Sequence, residues 1–184
     1  MKIKSLLSLG TLVFSLTSCG GSGGDSAKLI IVDYSLVNED NQLSQEIQSS
    51  LTLQENSQNF FEKYRGRWNV VNQEMSDEGA SASFTFLSKA ELQIEMLGDI
   101  PNFGRARVIM TPPYVIEKAP VIGNQLGLSK SILKTVVCEE FIDKRGDSLL
   151  CGRARIQRLE LLNEAQDILQ FRDLSDGEIL ILRR

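Results

Sequence analysis

The chain of 184 residues is 42% hydrophobic and has four prolines, which is enough apolar material for one compact domain and too little length for two. It contains no histidine, the side chain that most often acts as a general acid or base near neutral pH and most often ligates metals. No pattern supplies a nucleophile with a base or a glycine loop for phosphate. The sequence therefore predicts a protein that is not an enzyme and holds no metal or cofactor.

The first 18 residues have the layout of an export signal. Lys2 and Lys4 precede an apolar stretch at residues 6–16, which ends in small polar residues. A helix that spans a bilayer needs about 20 apolar residues, so this stretch is too short for a permanent transmembrane anchor. Its removal with both lysines leaves 18 basic and 24 acidic side chains, a net charge of −6. We therefore expect no nucleic-acid partner.

Residues 16–19, Leu-Thr-Ser-Cys, resemble the lipobox of bacterial lipoproteins. The resemblance implies that the Cys19 thiol receives a diacylglycerol and that, after cleavage, its freed amine receives a further acyl chain. Each buried methylene contributes about 0.8 kcal/mol, so such an anchor is effectively permanent. In this family, Gly20 after the cysteine implies the outer membrane of a two-membrane bacterium. The predicted location is the bacterial cell envelope, facing the periplasm or the surface.

The chain divides into four predicted segments. Residues 1–18 are the signal peptide, and residues 19–27 are a lipid-anchored tether, since residues 20–26 hold four glycines and no apolar side chain. Residues 28–55 form an N-terminal extension with a strand at 28–36 and a polar remainder that fits helix or strand. Residues 56–184 form the β-rich domain.

The β-rich domain opens with a short helix at residues 56–65, where Phe60, Phe61 and Tyr64 share one face and Gly66 supplies the end. Strands follow, because short β-branched or alternating runs are separated by turn residues. They are predicted at residues 68–75, 81–87, 90–97, 105–110, 114–117, 132–142 and 149–161, with a closing hairpin after them. This pattern predicts a mainly β fold, either a small antiparallel up-and-down barrel or a sandwich.

Residues 59–68, Asn-Phe-Phe-Glu-Lys-Tyr-Arg-Gly-Arg-Trp, resemble the opening motif of lipocalins, including lipid-anchored bacterial lipocalins. In that motif a short helix closes the barrel floor and Gly-x-Trp begins the first strand. The last residues, 179–184, resemble the final lipocalin strand, which ends at an arginine that stacks on the tryptophan. The resemblance implies that Gly66, Trp68 and either Arg183 or Arg184 close the barrel.

Cys138 and Cys151 flank a turn-prone segment at residues 143–147. If residues 143–146 form a four-residue loop, the two cysteines lie directly opposite each other and a cross-strand disulfide follows. The alternative is two free buried cysteines.

Two functions remain open from the sequence. The first is a binding protein whose barrel interior takes a lipid-like or other small apolar ligand. The second is an envelope assembly factor or inhibitor that binds a protein partner through its exposed sheet face. The expected ligand-lining side chains, which can equally fill a closed core, are Trp68, Val70, Phe84, Phe86, Leu92, Ile94, Met96, Val108 and Met110.

Overall fold

The structure is a computed structural model that describes residues 27–34, 54–100, 104–121, 129–143 and 148–184. The predicted signal peptide, the lipobox, the tether up to residue 26, most of the extension at 28–55 and nearly all of the hairpin loop at 143–146 lie outside the described residues. The mainly β prediction is confirmed. The helices are α1 (Gln54–Tyr64) and α2 (Gln73–Asp77), and the strands are β1 (Lys28–Asp33), β2 (Gly66–Val70), β3 (Ser81–Phe86), β4 (Leu92–Ile100), β5 (Gly104–Met110), β6 (Tyr114–Pro120), β7 (Ser129–Asp143), β8 (Ser148–Ala165), β9 (Ile168–Asp173) and β10 (Ile179–Arg183).

Strands β2 to β10 form a closed circuit of antiparallel pairs. Each strand pairs with the next along the chain except at β5 and β6, and β10 returns to pair with β2. The β4–β5 ladder continues beyond β5, since the Leu92 N–H donates to the Pro112 carbonyl at 3.1 Å and the Tyr114 N–H donates to the Ala90 carbonyl at 3.0 Å. β5 and β6 therefore follow each other as one bent strand, and the circuit has the connectivity of an up-and-down barrel.

Strand β1 makes a second connection across the sheet. It pairs in parallel with β5, where Ile30 lies opposite Val108, and in parallel with β8, where Val32 lies opposite Leu149. Ile30 and Val32 are buried, as the alternation of a half-buried strand requires. The strand predicted at residues 28–36 is confirmed, although it ends at Asp33.

Helix α1 covers one end of the sheet. The ring centroids of Phe60 and Phe86 are 5.1 Å apart, and the Ser57 hydroxyl accepts a hydrogen bond of 2.9 Å from the Ile116 N–H of β6. That bond satisfies a donor on a strand edge, which limits pairing with another chain. Gly66 follows the helix with φ +105°, a conformation that favours glycine, so its predicted role at the helix end is confirmed.

The strand predicted at residues 68–75 is wrong in its second half. β2 ends at Val70, and Met75 lies in α2. The cause is local, because the Asn72 side chain accepts a hydrogen bond of 3.0 Å from the Met75 N–H and caps the helix. The side chains of Gln73 and Asp77 then bond across one helical turn at 2.7 Å.

Cys138 and Cys151 form a disulfide, as predicted, with their Cα atoms 5.7 Å apart. The register from which the bridge was predicted is wrong. Asp143 pairs with Leu149, so the loop is longer than four residues, and Cys138 lies opposite Ala154. The β7–β8 ladder is irregular between Cys138 and residue 141, and this irregularity brings the two sulfur atoms together.

Candidate ligand-binding interior

The nine side chains predicted to line a ligand site lie on one face of the sheet. The central row crosses four strands, because Phe84 lies opposite both Trp68 and Ile94, and Ile94 lies opposite Met110. Alternation along each strand places the two neighbouring rows on the same face. One neighbouring row holds Phe86 and Leu92, and the other holds Val70, Met96 and Val108.

Burial differs between the two ends of this face. The central row and the row of Phe86 and Leu92 are at most 2% exposed, so these side chains pack as a core. In the remaining row Val108 is 1% exposed, whereas Met96 and Val70 are half-buried and pack at the margin of that core. Among the nine side chains, the apolar face is therefore least buried at Met96 and Val70.

The opposite end is closed by aromatic rings. Phe86 lies 5.1 Å from Phe60 of α1 and 5.4 Å from Tyr114, in edge-on geometry that favours aromatic pairs. The Tyr114 hydroxyl donates to the Ser88 carbonyl at 2.9 Å, and burial raises the pKa of Tyr114 above its ordinary value. Among the described residues, these rings and α1 therefore cover this end of the apolar face.

Trp68 is fixed from both sides. Its indole Nε1 donates to the Tyr64 carbonyl at 2.8 Å, and the guanidinium carbon of Arg184 lies 4.9 Å from its ring centroid. Arg184 also donates from Nη2 to the Arg65 carbonyl at 2.6 Å. Of the two arginines considered from the sequence, Arg184 stacks on Trp68, whereas Arg183 is exposed on β10 opposite Asn69.

A group of polar contacts joins α1 to β8 and was not predicted from the sequence. The Tyr64 hydroxyl donates to the Glu164 carboxylate, which also receives the Lys63 ammonium at 2.9 Å. The hydrogen bond from Tyr64 is the main reason that the pKa of Glu164 lies below its ordinary value. A separation of 100 residues between Tyr64 and Glu164 leaves no local pattern from which this contact can be read.

Polar groups lie beside the apolar interior on β8 and β9. Gln157 and Asp173 are both buried, and the Gln157 Nε2 donates to the Asp173 carboxylate at 2.6 Å. Asp173 also accepts bonds from the Ser175 N–H at 2.8 Å and from the Ser175 hydroxyl at 2.6 Å. Burial of Asp173 alone raises its pKa, but these hydrogen bonds together with the charge of Arg155 leave the pKa below its ordinary value. The Asp173 carboxylate therefore stays ionised at neutral pH although it is buried.

A small pocket lies apart from this interior, between β6, β7 and β8. It has room for about 20 Å³, close to one or two water molecules, so it is too small for a lipid-like ligand. None of the nine predicted lining residues borders it. Its walls are Pro113, Tyr114, Val115, Lys134, Thr135, Val136 and Ile156.

Within the described ranges, no group of three or more cysteine and acidic side chains is placed to hold a metal ion. Neither α1 nor α2 is long and apolar enough to cross a bilayer.

No protein-family model matches this chain, no curated protein matches it in sequence, and no solved structure matches it.

Proposed function

We propose that this chain is a lipid-anchored protein of a bacterial envelope that binds a lipid-like or other small apolar ligand inside its β-barrel and catalyses no reaction. The observation that supports the ligand best is the continuous apolar face of β2–β5, on which all nine expected lining side chains lie. The strands that carry this face belong to a closed antiparallel circuit. The inside of such a circuit suits small apolar ligands.

The ligand enters at the end marked by Met96 and Val70. These two side chains are half-buried, whereas α1 and its aromatic contacts cover the other end. Two further features agree with the resemblance to lipocalins: Gly66 follows the helix, and Arg184 stacks on Trp68.

Ligand binding is tested on the chain from residue 19 with Cys19→Ser. We expect native mass spectrometry to detect an apolar adduct and a fluorescent fatty acid to bind. Met96→Trp should weaken probe binding roughly tenfold, equivalent to about 1.4 kcal/mol, because the larger ring obstructs the entrance. Leu87→Trp is the matched control, since Leu87 is 45% exposed and lies outside the proposed entrance. Absence of both adduct and probe binding, or equal effects of the two variants, contradicts the proposed site.

The anchor rests on the lipobox-like residues 16–19 and on the export signal that precedes them. We expect labelled palmitate to be incorporated into the natural chain and not into Cys19→Ser, whose product should move from the membrane to the soluble fraction. A Cys19→Ser product that stays with the membranes, or a natural chain without label, contradicts the anchor.

A second candidate function is binding of an envelope protein. The observation that favours it is that two apolar side chains beside the outer wall of β2 and β10 are exposed: Val71, which follows β2, and Ile179 of β10. A photo-crosslinker at position 71 should then capture a stoichiometric partner in intact cells, whereas one at the exposed Gln73 should not. Recovery of no stoichiometric partner at position 71 removes this candidate.

A further inference from the structure

The outer face of β1 carries exposed apolar side chains. Leu29 and Ile31 are 49% and 54% exposed, because they alternate with the buried Ile30 and Val32. Neighbouring strands extend this surface: Ile31 lies opposite Ile109 of β5, Asp33 lies opposite Leu150 of β8, and Leu150 lies opposite Ile142, which is 46% exposed. We call this surface the β1 strip; it consists of Leu29, Ile31, Ile109, Ile142 and Leu150.

The strip lies near the proposed anchor along the chain. Leu29 follows Cys19 by ten residues, and a fully extended chain spans at most about 3.3–3.6 Å per residue. The strip is therefore held within about 35 Å of Cys19. If Cys19 carries acyl chains in a bilayer, that surface is confined close to the headgroups.

The size of the strip favours a tethered contact over a free protein interface. A stable interface between proteins buries more than about 1,000 Å² in total, far more than a few half-exposed side chains provide. A short tether raises the effective concentration of the second binding surface to the millimolar range, so a weak contact is populated. A membrane at the end of that tether supplies such a surface without a second protein.

Charge also limits the mode of contact. Arg107 lies opposite Leu29 at the border of the strip, and its guanidinium is engaged by the Glu95 carboxylate at 2.9 Å. The chain from residue 19 has a net charge of −6, so anionic headgroups repel it as a whole. Contact with a bilayer must then come from burial of apolar side chains.

We propose that the β1 strip rests on the surface of the membrane to which Cys19 is attached and so fixes the orientation of the barrel. This inference rests on the proposed lipid anchor. In this orientation the opposite wall, formed by β2 and β10, faces away from the bilayer.

The experiment replaces the natural anchor, so its result does not depend on acylation in cells. The chain from residue 19, with Cys19→Ser and an N-terminal hexahistidine, is attached to brominated phosphatidylcholine vesicles that contain a nickel-chelating lipid. This protein lacks residues 1–18. The described fold begins at residue 27, so the shortened chain keeps all of it. Bromine quenches tryptophan over short distances. Trp68, the one natural tryptophan, is fully buried and gives a constant background.

Reporter tryptophans are introduced by Ile31→Trp and, on another strand of the strip, by Ile142→Trp. The matched control is Ile179→Trp on β10, where the natural side chain is 46% exposed. We expect attachment to quench most of the added emission at positions 31 and 142 and to leave position 179 unchanged. Equal quenching at all three positions, or none at 31 and 142, overturns the proposal.

A second measurement separates a membrane from a second copy of the chain. In the attached protein that carries Ile142→Trp, Leu29→Ser with Ile31→Ser should remove most of the quenching, whereas Val71→Ser with Ile179→Ser should not. Without vesicles, the emission of the Ile31→Trp protein is recorded at increasing protein concentration. If that emission moves to shorter wavelengths, a second copy covers the strip and the proposal is overturned.

Discussion

Replacing Arg184 with alanine removes the group that covers Trp68 at the junction of β10 and β2. The guanidinium lies 4.9 Å from the indole centroid and donates to the Arg65 carbonyl at 2.6 Å. An exposed cation–π contact contributes about 0.5–1 kcal/mol, and the net contribution of one hydrogen bond is about 1 kcal/mol. We therefore expect Arg184→Ala to destabilise the protein by about 1–2 kcal/mol.

The assay is urea unfolding followed by the fluorescence of Trp68, the one tryptophan of the chain. The folded Arg184→Ala protein should also emit at longer wavelength, because water reaches a ring that is fully buried in the natural protein. Arg183→Ala is the matched control, since Arg183 is adjacent and exposed, and it should change stability by less than about 0.5 kcal/mol. Equal losses in the two variants, or an unchanged emission maximum in Arg184→Ala, refute the assigned role of the stack.

Three further predictions concern a disulfide, an ion pair and a hydrogen bond that hold strands of the sheet. Reduction of the Cys138–Cys151 bridge, which joins residues 13 apart, should lower the free energy of unfolding by about 3 kcal/mol; identical urea midpoints with and without reductant contradict this. The hydrogen bond from Arg107 is the main cause that lowers the pKa of Glu95, so this carboxylate stabilises the fold above its ordinary pKa of 4.5 and the contribution is lost as pH falls through the lowered value. Glu95→Gln should therefore flatten the loss of stability in acid, and parallel pH profiles of the two proteins count against the contact. Ser57→Ala should cost about 1 kcal/mol in thermal or urea unfolding by removing the acceptor for a β6 amide, and Ser57→Thr, which keeps a hydroxyl, should cost less.

Local patterns predicted most of the β-rich domain because its strands are short, alternating and bounded by turns. Leu92 and Ile94 illustrate this, since their alternation with polar neighbours fixes one face of β4. The stack of Trp68 and Arg184 was expected from the lipocalin resemblance at the two ends of the domain and is found in the structure. The apolar lining set was likewise placed on one face, while its use by a ligand stays a prediction.

The errors arise where contacts distant in sequence or side-chain caps decide the structure. Asn72 stops the strand after Val70 by capping α2, and the run of residues 68–75 does not reveal that competition. The place of β1 between β5 and β8 depends on parallel pairing across more than 70 residues, which a single strand pattern cannot specify. The disulfide was predicted from a wrong register, because loop length and ladder irregularity both changed the pairing around Cys138.

The most direct measurement is mass spectrometry of the protein extracted from bacterial envelopes in mild detergent, recorded first under native and then under denaturing conditions. A lipid-anchored binding protein should give a denatured mass of the chain from Cys19 plus covalent acyl groups, and a larger native mass that includes an apolar ligand. A chain that still begins at Met1, carries no lipid and has the same native and denatured mass would contradict both the anchor and the ligand site.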